Sequence, residues 1–245
     1  QIYYLSMEPP LAGSSSDILL KLIYHPTKSG LPSRPISELK IGEFQLDATS
    51  AILESSFEGE ISEMESEMMS AVWSLNTTIQ NERAEPLSGG LRVFTLNKRD
   101  FSTSEQFVIS ALDGLSKYIV PKIDYNFYDK ELFVGWIETK VDKDGVPPDI
   151  FEFSEVFGKQ LQLGDDLSSF VAASDDIQMS KSGIQGNTNA GAVDFELFHS
   201  LARNDYFVLW ENNNLNNPRS ELGVVSTLNV DRYNLEVSNP VDSAF

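Results

Sequence analysis

The sequence predicts a mainly β protein, an antiparallel β-sandwich with one or two short helices, on three observations. Short runs of β-branched and aromatic residues crowd the chain from residue 91 onward. The spacers between them are rich in Gly, Asp and Asn, with Asp113-Gly114 and Asp144-Gly145 as natural turn dipeptides. Finally, no self-similarity appears at a period of roughly 20 to 50 residues, which argues against solenoids and propellers.

Taken in order, residues 1–16 contain Pro9, Pro10, Gly13 and the run Ser14 to Ser16, and read as an extended N-terminal arm. Asp17 to His25 alternates as a strand covered on both sides, and the prolines from Pro26 to Pro35 mark a loop. Ile41 to Ala51 reads as a short strand. In Gly59 to Leu75, Ile61, Met64, Met68, Met69 and Val72 recur at three-to-four spacing among glutamates, which predicts the main helix with a core-facing methionine stripe. Strands are expected at Leu91 to Leu96, Phe107 to Leu112, Lys130 to Val141, Lys159 to Leu163, Ser169 to Ala173, Ala192 to Leu201, Asp205 to Trp210 and Gly223 to Val230. Gly183 to Gly191 and Asn212 to Pro218 read as surface loops. The expected organisation is an arm over 1–16, one domain over 17–237 and a C-terminal tail over 238–245.

Composition narrows function. At 245 residues with 41% hydrophobic content the chain suits one large all-β domain with its own core. There is no cysteine, hence no disulfide, thiolate metal site or cysteine nucleophile. No run of about twenty apolar residues predicts a membrane-spanning helix. A formal net charge of −19 repels phosphate backbones and limits any RNA contact to a weak or indirect one. The first residue is Gln1 rather than methionine, which fits release from a polyprotein or a trimmed chain.

The search for chemistry yields no expected catalytic, cofactor-binding or metal-ligating residue. The two histidines, His25 and His199, lie in predicted strands outside any nucleophile or zinc motif. Gly183-Ile184-Gln185-Gly186 and Gly89-Gly90 lack the lysine and hydroxyl of a phosphate loop and read as turns. Glu138, Asp142, Asp144, Asp165, Asp166, Asp175 and Asp176 could supply the two carboxylates of a glycosidase, and Asp142-x-Asp144-Gly145 is a fragment of a calcium loop without its bidentate glutamate. Tyr125, Phe127, Tyr128, Phe133 and Trp136 could line a sugar groove or fill a core. Asn76-Thr77-Thr78 matches the glycosylation pattern with no accompanying sign of secretion.

Two segments carry a resemblance. Ser88-Gly89-Gly90-Leu91-Arg92-Val93-Phe94 follows the expected helix through a loop; Phe198-His199-Ser200 leads through Asn204-Asp205 into Tyr206-Phe207, with Pro218 closing the next loop. Together they resemble landmarks of the coat proteins of picorna-like, especially insect-infecting, small RNA viruses. Pro86-Leu87 replaces the aromatic expected before the glycines, Asn204-Asp205 replaces paired acids, and the basic RNA-facing arm is missing. The resemblance implies a jelly roll and a non-enzymatic structural subunit of an icosahedral capsid. Such a subunit would assemble with its own copies and sister coat proteins, without cofactor or membrane, into virions formed in the host cytoplasm. The arm, the Pro26 to Pro35 and Gly183 to Gly191 loops and the tail after Asp231 would meet neighbours by strand addition. The alternatives are a carbohydrate-binding or glycoside-hydrolysing β-sandwich and a phage or bacterial surface adhesion module.

Overall fold

The computed structural model describes residues 2–8, 17–25, 27–28, 31–32, 37–45, 51–65, 67–80, 86–111, 116–141, 151–180, 190–214, 217–228 and 234–241. Every regular element among them is a strand. Sheet I holds β1 (Ile2–Glu8), β2 (Asp17–His25) and β5 (Ser37–Gln45), with the small hairpin β3 (Thr27–Lys28) and β4 (Leu31–Pro32) between the last two. Sheet II is β6 (Ala51–Glu63), β7 (Met68–Gln80), β8 (Pro86–Asn97) and β9 (Phe107–Ser110). Sheet III is β10 (Ser116–Asn126), β11 (Glu131–Val141) and β12 (Phe151–Leu163), with β13 (Phe170–Ala173) and β14 (Ile177–Gln178) both on β12. Sheet IV is β15 (Ala190–Ser200), β16 (Asp205–Asn214), β17 (Asn217–Leu228) and β18 (Asn234–Val241). Sheets III and IV are two halves of one nine-stranded sheet, joined among the described residues by the parallel pair Ser154 and Gly191.

Three cores separate these four sheets. Leu20, Leu22 and Ile41 of sheet I meet Ala71, Trp73 and Leu75 of sheet II. On the other face of β7, Val72 joins Leu91 and Val93 against Ile123, Val134 and Trp136 of sheet III. Phe133, Ile137 and Val156 in turn meet Phe195, Tyr206, Val208 and Trp210 of sheet IV. Alternate residues of β7 and β11 therefore serve successive cores, as the two-residue side-chain period requires. The first strands lie side by side, β1 by β6, β6 by β10 and β10 by β15. Sheets of neighbouring chain segments are thus packed face to face, as in a β-sandwich.

The antiparallel, mainly β class holds. The connectivity differs from a jelly roll, because strands pair with their neighbours in sequence as meanders, whereas a Greek key pairs strands distant in the chain. Beyond the short periods that the sequence lacks, one segment nonetheless recurs in successive sheets. Glu131-Leu132-Phe133-Val134-Gly135-Trp136 and Asp205-Tyr206-Phe207-Val208-Leu209-Trp210 occupy the same place in sheets III and IV, and Met68 to Trp73 does so in sheet II. Each segment ends in a tryptophan that faces the preceding sheet. Unequal loops make the repeat longer and less regular than a short-repeat array.

The predicted helix over Gly59 to Leu75 is a hairpin of β6 and β7, in which Ile61 pairs with Ala71 and the Met64 N–H donates to the Met68 carbonyl across the turn. Both faces of β7 are covered, so apolar residues fall at odd and even positions and blur the strand alternation. Within the expected arm, Ile2–Glu8 is a strand paired to β2, residues 9–16 lying outside the described ones. The Pro26 to Pro35 loop contains the β3–β4 hairpin, and Gly89-Gly90 lies inside β8 rather than in a turn. The asparagine loop at 212–218 is largely the end of β16 and the start of β17, and β18 occupies much of the segment after Asp231, running into the predicted tail. Asp113-Gly114, Asp142, Asp144-Gly145 and most of Gly183 to Gly191 lie outside the described residues.

Candidate ligand-binding cleft

The first strands of the sheets build the most distinctive geometry. β10 carries a bulge between Ile119 and Lys122, where Val120 has a φ of 51° and Pro121 brings no N–H to the ladder. A β-branched residue in the left-handed region is a true outlier and needs outside support. Glu58 supplies it, since the Val120 N–H donates to its Oε2 at 2.6 Å. One pleat along β6, the Ile123 N–H donates to Glu60 Oε2 at 2.7 Å. The two glutamates thus replace a ladder between β6 and β10, and each keeps Oε1 outside these bonds.

A cavity of about 560 Å³ opens between β1 and β6, walled by Tyr3, Tyr4, Leu5, Phe57, Glu58 and Glu60. Gly59 lets the strands approach, because a Cβ there would run into Leu5 Cδ1 and lie 2.7 Å from the Val72 carbonyl oxygen. Phe57 leans on Trp73 of the first core, with ring centroids 6.1 Å apart, so this wall is braced from behind.

Glu60, Lys122 and Glu196 occupy one equivalent position in three first strands, each paired with the residue before a repeated tryptophan: Val72, Gly135 and Leu209. Lys122 Nζ reaches Glu196 at 3.3 Å. Burial pushes the Glu60 carboxyl above the ordinary carboxylate range; the Ile123 N–H and Lys122 oppose the rise, while Glu196 and Asp124 add to it.

A second surface forms where the β10–β11 and β15–β16 turns meet. Phe127 and Tyr128 are 56% and 59% exposed, with rings nearly perpendicular, and Tyr128 faces His199 edge-on at 6.4 Å. Polar bonds fix the turns beneath: His199 Nε2 to Asn204 Oδ1 at 3.0 Å, Asn204 Nδ2 to Asp129 Oδ2 at 2.7 Å, and Asn126 Nδ2 to the same oxygen at 3.0 Å. The His199 N–H donates to Asp124 Oδ2 at 2.5 Å, tying sheet III to sheet IV. Phe198 stacks on Phe207 at 5.3 Å, and the Arg203 guanidinium lies over Phe207.

The candidates named from sequence scatter. His25 lies in β2 opposite Ile2, far along the chain from His199, which serves the turn network. Glu138 accepts from Ser116 at 2.8 Å, Asp165 pairs with Lys130 at 3.1 Å and Asp176 with Lys159 at 2.6 Å. Asp166 caps its own turn, and bonds from Ser168 hold its carboxyl below the usual range, while Asp175 is exposed. Tyr125 donates to Glu65 Oε1 at 2.8 Å, and burial followed by that carboxylate pushes its hydroxyl well above the phenolic range. Phe133 and Trp136 are core. Asn76 is buried and bonded to both peptide groups of Tyr118, a position closed to glycosylation in the folded state. Among the described residues no three His, Asp or Glu side chains converge to hold a metal ion.

Sequence reasoning missed the cleft because β1 reads as an arm and Glu58 and Glu60 as the polar face of a helix. The visible signal was Tyr3-Tyr4 at the head of an alternating run. No family model matches the sequence, and no curated protein matches it. Among solved structures, the chain is similar to the endo-arabinase from Bacteroides thetaiotaomicron VPI-5482 at 10% identity, covering 95% of this chain and 85% of that one with a TM-score of 0.37.

Proposed function

We propose that the protein binds carbohydrate in the cleft between β1 and β6. The supporting observation is the combination of a cavity of about 560 Å³, aromatic walls from Tyr3, Tyr4 and Phe57, and two carboxylates held in place by backbone amides. Sugars present apolar C–H faces and hydroxyl edges, and an aromatic wall beside fixed acceptors meets both. Binding is favoured over hydrolysis because a glycosidase needs two carboxyl groups flanking the bond, roughly 5 to 10 Å apart and free to exchange protons. Glu58 and Glu60 are instead tied to the backbone of β10.

Titration calorimetry against a panel of neutral and charged oligosaccharides tests this. Binding is expected for at least one class, and Tyr4→Ala is expected to weaken it about tenfold, near 1.4 kcal/mol. Absence of binding across the panel removes the proposal. A coat subunit rests on its two sequence landmarks, one of which has a hairpin where a helix was expected; sedimentation of the natural protein in megadalton particles with other coat-sized chains would favour it instead.

A further inference from the structure

We infer that the cleft selects sugars carrying a free ammonium group over neutral ones, an inference that rests on the carbohydrate reading of the same site. Glu58 and Glu60 are two of the residues that line the cavity, and among the described residues no cationic one lines it. Lys122, the cation nearest Glu60 in the row of first strands, is drawn toward Glu196 at 3.3 Å. Each glutamate commits Oε2 to a β10 amide, which fixes its orientation and leaves Oε1 outside that bond. An ammonium offers three donors, and its hydrogen bonds to carboxylates are about twice as strong as neutral ones. Tyr3, Tyr4 and Phe57 also line the cavity, and aromatic rings attract cations. The net charge of −19 works in the same direction at long range and disfavours uronates and sulfated sugars.

The test compares tetrasaccharides of β-1,4-linked glucosamine and N-acetylglucosamine by calorimetry at about pH 6, where an amine of this kind is protonated. The free-amine form is expected to bind at least tenfold tighter, with the advantage shrinking several-fold as salt rises from about 0.05 to about 0.5 M. Glu58→Gln, which keeps an acceptor for Val120, is expected to lose that advantage, the ratio of the two affinities falling toward one. Should the variant fail to fold, as judged by circular dichroism, the salt dependence of the parent protein decides. Equal affinity for the two sugars overturns the ammonium selectivity and leaves the sugar site standing. If neither sugar binds, and no other oligosaccharide does, the carbohydrate reading itself falls.

Discussion

Glu60 couples the cleft to pH. Its carboxyl is raised above the usual value chiefly by burial, so the folded state holds this proton more tightly than the unfolded chain does. A raised group contributes stability that is fully present below the unfolded value and is lost as pH climbs through the folded one. Asp100 and Asp166 are shifted downward and act with the opposite sign, losing their contribution as pH falls. The difference between parent and variant isolates the glutamate. Glu60→Gln is expected to flatten the decline of stability from about pH 4.5 upward, read as urea midpoints at stepped pH; curves that stay parallel throughout would show that Glu60 does not carry it. Nearby, Asn76 shows how a side chain can stand in for a ladder rung, with its amide donating to the Tyr118 carbonyl at 2.7 Å and accepting from the Tyr118 N–H at 3.0 Å. Neither role is written in the local sequence, because both partners lie more than forty residues away in the chain.

At the scale of elements, β11 and β12 meet at two facing glycines. Gly135 pairs with Gly158, and aromatic rings cover both: a Cβ on Gly135 would lie 2.7 Å from Phe195 Cε2, and one on Gly158 would lie 2.5 Å from Phe133 Cε1. The notch lets the rings of Phe133 and Phe195 reach the backbone and seat the third core. Gly158→Ala is expected to destabilise by about 1 to 3 kcal/mol through forced displacement of packed rings, measured by chemical unfolding. An unchanged midpoint would mean that the rings have room to move. Strands with turn-forming residues flanking them in the sequence, such as Asp17–His25 and Glu131–Val141, were legible from alternation and those flanks. The β6–β7 hairpin was not, since Met64 and Met68 flank its turn while Met69 and Val72 serve opposite cores, and their spacing mimics a helix by coincidence.

For the whole molecule, the class of fold followed from composition and pattern, but the pairing did not. Which strand lies beside which depends on the three tryptophan-ended segments, whose similarity is diluted by loops of different length. The cleft was harder still, since Tyr3 comes beside Glu58, and Glu58 to the Val120 N–H, only after the first strands of three sheets have been laid side by side. Sheets II and III each share two cores, one on either face. Native-state hydrogen exchange is therefore expected to be slowest in β7 and β11, with β2 and β16 opening first in smaller units; equal protection throughout would indicate a single cooperative block. Each sheet is also drawn from one unbroken stretch of chain, and its face is completed by the sheet made just before it. A ribosome adding about 5 to 20 residues per second takes seconds to supply each such stretch, while a hairpin closes in roughly 1 to 10 μs. The molecule is thus suited to assembly in the order of its synthesis, with every finished sheet waiting as a template for the next.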